Sequence, residues 1–210
     1  MNLPNKLTVL RIILVPLFLA FMLIPLPGAY GDLIARCVAA LIFVGTAITD
    51  YWDGHLARKY GLITDFGKFL DPLADKMMVL GAMIGLLVLS YKQAGDGLFL
   101  RLLALTAFLM LFRELAVTSL RLAVSGSSGV VISANILGKV KTVTQIVLVM
   151  VVLLEPVVFG FIAPLIWKPL GYVSSYHVLS YLAMLVSGVM TVWSGLAYFK
   201  AYFPLINSNK

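Results

Sequence analysis

The sequence predicts an all-α integral membrane protein with six transmembrane helices. Composition and segment length carry this expectation. Apolar residues make up 61% of the 210 residues and charged residues only 12%, against roughly half and about a quarter in soluble domains. One small core cannot bury so much apolar surface. Disorder is excluded, because it requires low hydrophobicity and high charge. A disulfide scaffold is excluded too, since Cys37 has no second cysteine to pair with.

A membrane-crossing helix takes about 20 mostly apolar residues. Six stretches qualify: 7–26, 33–60, 66–91, 98–124, 134–162 and 172–202. Helix-breaking residues punctuate them. Pro25, Pro27, Gly28 and Gly31 follow the first, and Gly95 and Gly97 precede the fourth. Ser125 to Gly129 follow the fourth, and Pro164, Pro169 and Gly171 separate the last two. The first stretch is a span rather than a cleaved leader, because Pro16, Pro25 and Pro27 interrupt it and no good cleavage site follows. Residues 1–210 are read as a single domain.

The formal charge of +7 is assigned to topology and anionic lipid, not to nucleic acid. With the N-terminus in the cytoplasm, one side holds Lys6, Arg11, Arg58, Lys59, Lys68, Lys76, Arg113, Arg121, Lys139, Lys141, Lys200 and Lys210. The other side holds Arg36, Lys92, Arg101 and Lys168. Positively charged loops stay in the cytoplasm, so an even number of spans leaves both termini there.

The acids are clustered. Asp50, Asp53, Asp65, Asp71 and Asp75 fall within one short stretch of the chain. Asp50 and Asp53 stand three apart near the end of the second span. Asp71 and Asp75 stand four apart near the start of the third. Each pair therefore shares a helix face, and consecutive helices place the pairs at similar depth. Unpaired anions near a bilayer cost several kcal/mol each, so the four carboxylates need compensation. Arg58, Lys59, Lys68 and Lys76 are one source of it. Divalent metal is the stronger reading: Mg²⁺ favours oxygen ligands and is shared with substrate phosphates, and paired ions about 3.5–4 Å apart serve displacement at phosphorus. Gly54, Ala57 and Gly67 are small residues that let a ligand approach the backbone. Gly81 and Gly85 read instead as helix packing.

A second group of charges suits a phosphate. Arg113 and Arg121 are eight apart and share a face of the fourth span, while Lys139 and Lys141 open the fifth. Arginine contacts phosphate in a bidentate fashion, and lysine acts as a point charge. Glu114 is expected to orient another cation.

The segment from Asp50 to Asp75 reads D-x2-D-G-x2-A-R-x8-G-x3-D-x3-D, with Asp50, Asp53, Gly54, Ala57, Arg58, Gly67, Asp71 and Asp75 at its fixed positions. This resembles the signature of the CDP-alcohol phosphotransferases. The N-terminal run Asn5, Thr8 and Arg11, together with Arg113, Glu114, Arg121, Lys139, Lys141 and Gln145, resembles the bacterial branch that uses glycerol 3-phosphate. The resemblance implies six transmembrane helices around a polar cavity open to the cytoplasm, a homodimer, and the bacterial inner membrane. It implies that Asp50, Asp53, Asp71 and Asp75 hold two divalent cations, Mg²⁺ or Mn²⁺, with Asp75 also the general base. It implies that Asn5, Thr8, Gly54, Ala57, Arg58 and Gly67 line the CDP-diacylglycerol site, and that the phosphatidyl group passes to glycerol 3-phosphate with release of CMP. Inositol phosphate and phosphatidylglycerol are the alternative acceptors. A cation transporter is the remote alternative, but it would distribute its acids across the membrane depth rather than gather them at one face.

Overall fold

The computed structural model describes the backbone of residues 3–60, 65–92, 97–128, 136–166 and 177–207, and the side chains of 5–50, 52, 67, 70–91, 97–124, 136–166 and 177–202. Every described element is helical. The helices are α1 (Leu3–Leu23), α2 (Gly31–Tyr60), α3 (Asp65–Lys92), α4 (Gly97–Ser128), α5 (Ile136–Val157) and α6 (Val178–Asn207). Among the described residues, five regions are long and apolar enough to cross a bilayer: Asn5–Leu23, Gly31–Asp50, Leu70–Tyr91, Ile136–Ile166 and Val178–Tyr202. The remaining helix, α4, has 32 residues and carries Arg101, Arg113, Glu114 and Arg121. The protein is thus a multi-pass membrane protein.

The third helix agrees with expectation: it begins at Asp65, one residue before the expected stretch, and holds Pro72 in its interior. The fifth differs, because it runs past residue 162. After Pro156 it widens into a π-turn, Val158–Ile162, and then resumes α geometry over Ala163–Ile166. Pro156 supplies no backbone donor, and helices commonly open where the regular ladder is interrupted. Pro164 is accommodated because a proline in the first turn of an α segment gives up a donor that the turn does not use.

Contacts divide the chain into two compact units: residues 1–95 with 149–178, and residues 96–148 with 179–210. In the first unit α1 packs on both α2 and α3. The chain reverses after α1 through Gly28, whose φ of 101° is open to glycine, and through Gly31, where a Cβ would collide with the Leu26 carbonyl. α2 therefore returns antiparallel, with Phe18 against Phe43 at a ring separation of 5.5 Å. α3 runs parallel to α1. A Cβ at Gly81 would stand 3.1 Å from Val15 Cγ1, and one at Gly85 would stand 2.7 Å from Met22 Sδ. These two glycines, four apart, give α1 its close seat on α3, as small residues do between helices in lipid. Ala74, Met78, Ala82 and Leu86 of α3 are buried as well. On α2, Arg36 pairs with Asp32 at 2.9 Å and donates to the Leu153 carbonyl of α5 at 3.5 Å.

In the second unit α4 and α6 run parallel. Phe99 meets Tyr181 edge-on near their starts, with ring centroids 5.5 Å apart. Further along, Tyr198 is buried with Val117, Leu120 and Val124. Leu103, Met110, Val117 and Val124 recur every seven residues on α4, and all are buried. That spacing keeps one seam facing inward.

Candidate active site

The parallel register of α1 on α3 delivers two polar side chains to the acid cluster. Thr8 and Arg11 are three apart and share a face of α1. Continued along the helix, that face carries Val15 and Met22, the residues opposite Gly81 and Gly85. The packing that fixes the deeper contacts thus also fixes the polar ones. Thr8 Oγ1 donates to Asp71 Oδ1 at 2.8 Å. Arg11 Nη1 lies 2.5 Å from Asp50 Oδ1 and 2.7 Å from Asp75 Oδ1. One nitrogen of α1 therefore joins a carboxylate of α2 to a carboxylate of α3. Arg11 is 1% exposed, while Asp50 and Asp75 are 42% and 55% exposed. The guanidinium is sunk in the helix interface and the carboxylates face the open side.

The depth agrees with the composition. Asp50 is the last residue of the apolar stretch of α2, and Asp71 directly follows Leu70, the first of α3's. The acids thus stand where apolar helix gives way to polar chain, a depth at which carboxylates reach water and substrate head groups.

Of the expected metal ligands, Asp50, Asp71 and Asp75 are brought together, and Asp50 and Asp71 both act electrostatically on Asp75. The Asp53 side chain lies outside the described residues, as do the side chains of Gly54's neighbours Ala57 and Arg58 and the surroundings of Gly54 itself. Among the described residues, no group of three or more Asp, Glu, His or Cys is placed so that it could hold a metal ion. The donors present nevertheless fit a hard divalent cation: they are carboxylate oxygens, and those of Asp50 and Asp75 converge on a single nitrogen. Asn5 and Thr8 are buried, and Gly67 is buried at the start of α3. Thr8 touches an acid directly.

Sequence reasoning counted Arg11 as a topological cation and as part of the N-terminal run that resembles the bacterial branch, and gave it no partner among the acids. The missed signal was an arginine inside an otherwise apolar helix, one turn from Thr8. Such residues are functional candidates by default.

In the second unit, Arg113 Nε donates to Ser194 Oγ at 3.2 Å, and Ser194 donates in turn to the Thr191 carbonyl at 3.1 Å. Arg121 Nη2 donates to Tyr198 Oη at 3.0 Å. Both guanidiniums also lie over the Tyr198 ring, 5.4 Å and 5.3 Å from its centroid. Lys141 is buried and forms an ion pair with Glu114, which also lies 3.6 Å from Arg113. Glu114 thus orients a second cation, as expected. Lys139 is exposed. Ser194 and Tyr198 carry no motif, and the sequence offered only their four-residue spacing on one helix.

Aspartates of two consecutive helices, α2 and α3, thus gather about Thr8 and Arg11 of α1 where apolar helix gives way to polar chain, and the chain belongs to the CDP-alcohol phosphatidyltransferase family, whose model matches residues 1–193. Divalent metal ions are general in that family. Among individual proteins, the chain is similar to the CDP-diacylglycerol--glycerol-3-phosphate 3-phosphatidyltransferase of Bacillus subtilis, at 37% identity over 99% of this chain and 98% of the relative. The enzyme of the same name from Pseudomonas fluorescens is 33% identical over 100% of this chain and 94% of the relative. A probable phosphatidylglycerophosphate synthase of Mycobacterium tuberculosis is 40% identical over 94% of this chain and 79% of the relative.

Proposed function

We propose that this protein transfers the phosphatidyl group of CDP-diacylglycerol to glycerol 3-phosphate, giving phosphatidylglycerophosphate and CMP. The near full-length likeness to relatives named for that reaction carries the reading. The gathering of Asp50, Asp71 and Asp75 by Thr8 and Arg11 supports its chemistry.

Asp50, Asp53, Asp71 and Asp75 would hold two divalent cations, Mg²⁺ or Mn²⁺, which when bound supply charge stabilisation at the diphosphate. Asn5, Thr8, Gly54, Ala57, Arg58 and Gly67 would line the nucleotide and diphosphate site. Asp75 accepts the proton of the acceptor's primary hydroxyl, a task suited to a positioned carboxylate. The hydroxyl oxygen forms a bond to the lipid-bearing phosphorus. The bond from that phosphorus to the bridging oxygen breaks, and CMP leaves with the electron pair. Arg113, Arg121, Lys139 and Lys141 bind the acceptor's phosphate, and Glu114 holds Lys141 in place. The whole chain acts as one membrane domain, a reading supported by a family match that reaches across both compact units. The enzyme works as a homodimer in the bacterial inner membrane, with both termini, the polar cavity and the site on the cytoplasmic side. The distribution of lysine and arginine supports that orientation.

The test is CMP release from CDP-diacylglycerol by the purified protein with Mg²⁺, across a panel of acceptors. Glycerol 3-phosphate is expected to support release, and Asp75→Asn to abolish it. Release with inositol phosphate or phosphatidylglycerol alone would overturn the acceptor. The absence of release with every acceptor, from folded and metal-loaded protein, would overturn the reaction.

A further inference from the structure

We propose that Tyr198 is a positioning residue that sets Arg113 and Arg121 as a single seat for the acceptor's phosphate. This rests on the reading of the two arginines as phosphate ligands. Eight residues separate them on α4, so their Cα atoms lie about 12 Å apart. Both guanidiniums nevertheless come within 5.4 Å of the centre of one ring. The ring is what brings them together. Tyr198 draws Arg121 through its hydroxyl, at 3.0 Å, and both arginines through its π face. Ser194, one turn earlier on α6, holds the Nε edge of Arg113 at 3.2 Å.

Tyr198 itself is 2% exposed. It is walled in by Val117, Leu120 and Val124 and stacked on Tyr202 at 5.9 Å. It therefore acts through the arginines rather than on the ligand. Two glycines make room for the arrangement. A Cβ at Gly138 would stand 3.4 Å from Tyr198 Oη, and one at Gly195 would stand 3.2 Å from Arg113 Cγ. Like charges held about one ring repel each other, and a phosphate dianion between them removes that repulsion while taking bidentate hydrogen bonds. The class of acceptor selected is therefore a phosphate monoester, and an uncharged alcohol gains nothing from the seat.

The experiment compares steady-state constants of Tyr198→Phe, Arg113→Gln and Arg121→Gln in the full-length detergent-solubilised enzyme, varying glycerol 3-phosphate and CDP-diacylglycerol in turn. Tyr198→Phe keeps the ring and the packing and removes only the hydroxyl. It is expected to raise KM for glycerol 3-phosphate about tenfold, the scale of one hydrogen bond to a charged group. KM for CDP-diacylglycerol and kcat are expected to stay within about twofold. Tyr198→Leu removes the ring as well and is expected to raise the same KM further. Should that variant fail to fold, the near-isosteric Tyr198→Phe carries the test. If both arginine variants raise KM for glycerol 3-phosphate and Tyr198→Phe does not, the positioning role is overturned and the phosphate pocket stands. If neither arginine variant moves that KM, the pocket fails and the role of Tyr198 fails with it. Equal changes in both KM values, or a fall in kcat alone, would show a merely structural tyrosine and also overturn the proposal.

Discussion

Replacing Arg11 by leucine removes the cation that joins Asp50 to Asp75 while keeping an apolar side chain on α1. Breaking a buried ion pair by deleting one partner costs about 3–5 kcal/mol. Here only the arginine is fully buried, at 1% exposure, and the carboxylates are 42% and 55% exposed. Water screens the two acids once the arginine has gone, so the loss falls to about 2 kcal/mol. For a chain of this length that corresponds to a Tm lower by about 4–8 °C. The assay is thermal unfolding of the purified protein in detergent, first in metal-free buffer and then with increasing Mn²⁺. The acids of the variant repel each other without relief, so Mn²⁺ is expected to raise its Tm by more than that of the unaltered protein, following binding linkage. Arg11→Lys is expected to recover about half of the loss, because both contacts run through one nitrogen and an ammonium keeps the charge. A metal-free Tm for Arg11→Leu within about 1 °C of the original would refute the bridging role. So would an equal response of the two proteins to Mn²⁺, since that leaves no part for Arg11 in compensating the acids.

Three further outcomes follow from single contacts. Thr8→Val removes the donor to Asp71 at nearly constant volume and is expected to cost about 1 kcal/mol, read as a lower Tm and a weaker Mn²⁺ affinity by titration. Gly81→Leu forces a branched side chain toward Val15, where even a Cβ would stand at 3.1 Å. It is expected to part α1 from α3, with loss of Mn²⁺ binding as well as of about 1–3 kcal/mol of stability; unchanged metal affinity would count against the register argument. Glu114→Gln leaves the buried Lys141 without its carboxylate and is expected to lower stability by about 3 kcal/mol, whereas the double variant Glu114→Gln/Lys141→Met recovers most of it in a thermal melt.

Much of the fold was legible because the bilayer imposes a length and a composition on any helix that crosses it. The six expected stretches correspond to six helices, shifted by a few residues at their ends. The end of the fifth helix was least legible because Pro164 was read as a boundary. It lies instead within a helical turn. The acid cluster was legible for a related reason: aspartates near apolar helix are expensive, so their spacing of three and four on consecutive spans announced a shared purpose.

What the sequence determined by itself was therefore periodic or costly: the helical membrane class, the clustering of aspartates on two consecutive helices, and the packing role of Gly81 and Gly85. What only the tertiary structure decided was which residues meet across helices. Spacing names no partner for Arg11, and nothing local distinguishes Tyr198 from an aromatic that fills space. Their roles come from helix register, which small residues such as Gly81, Gly138 and Gly195 set by letting backbones and side chains approach. A contact between residues 64 or 77 positions apart leaves no trace in the spacing of either segment, because the side chains that fix it lie on two helices whose relative placement is a property of the packing alone.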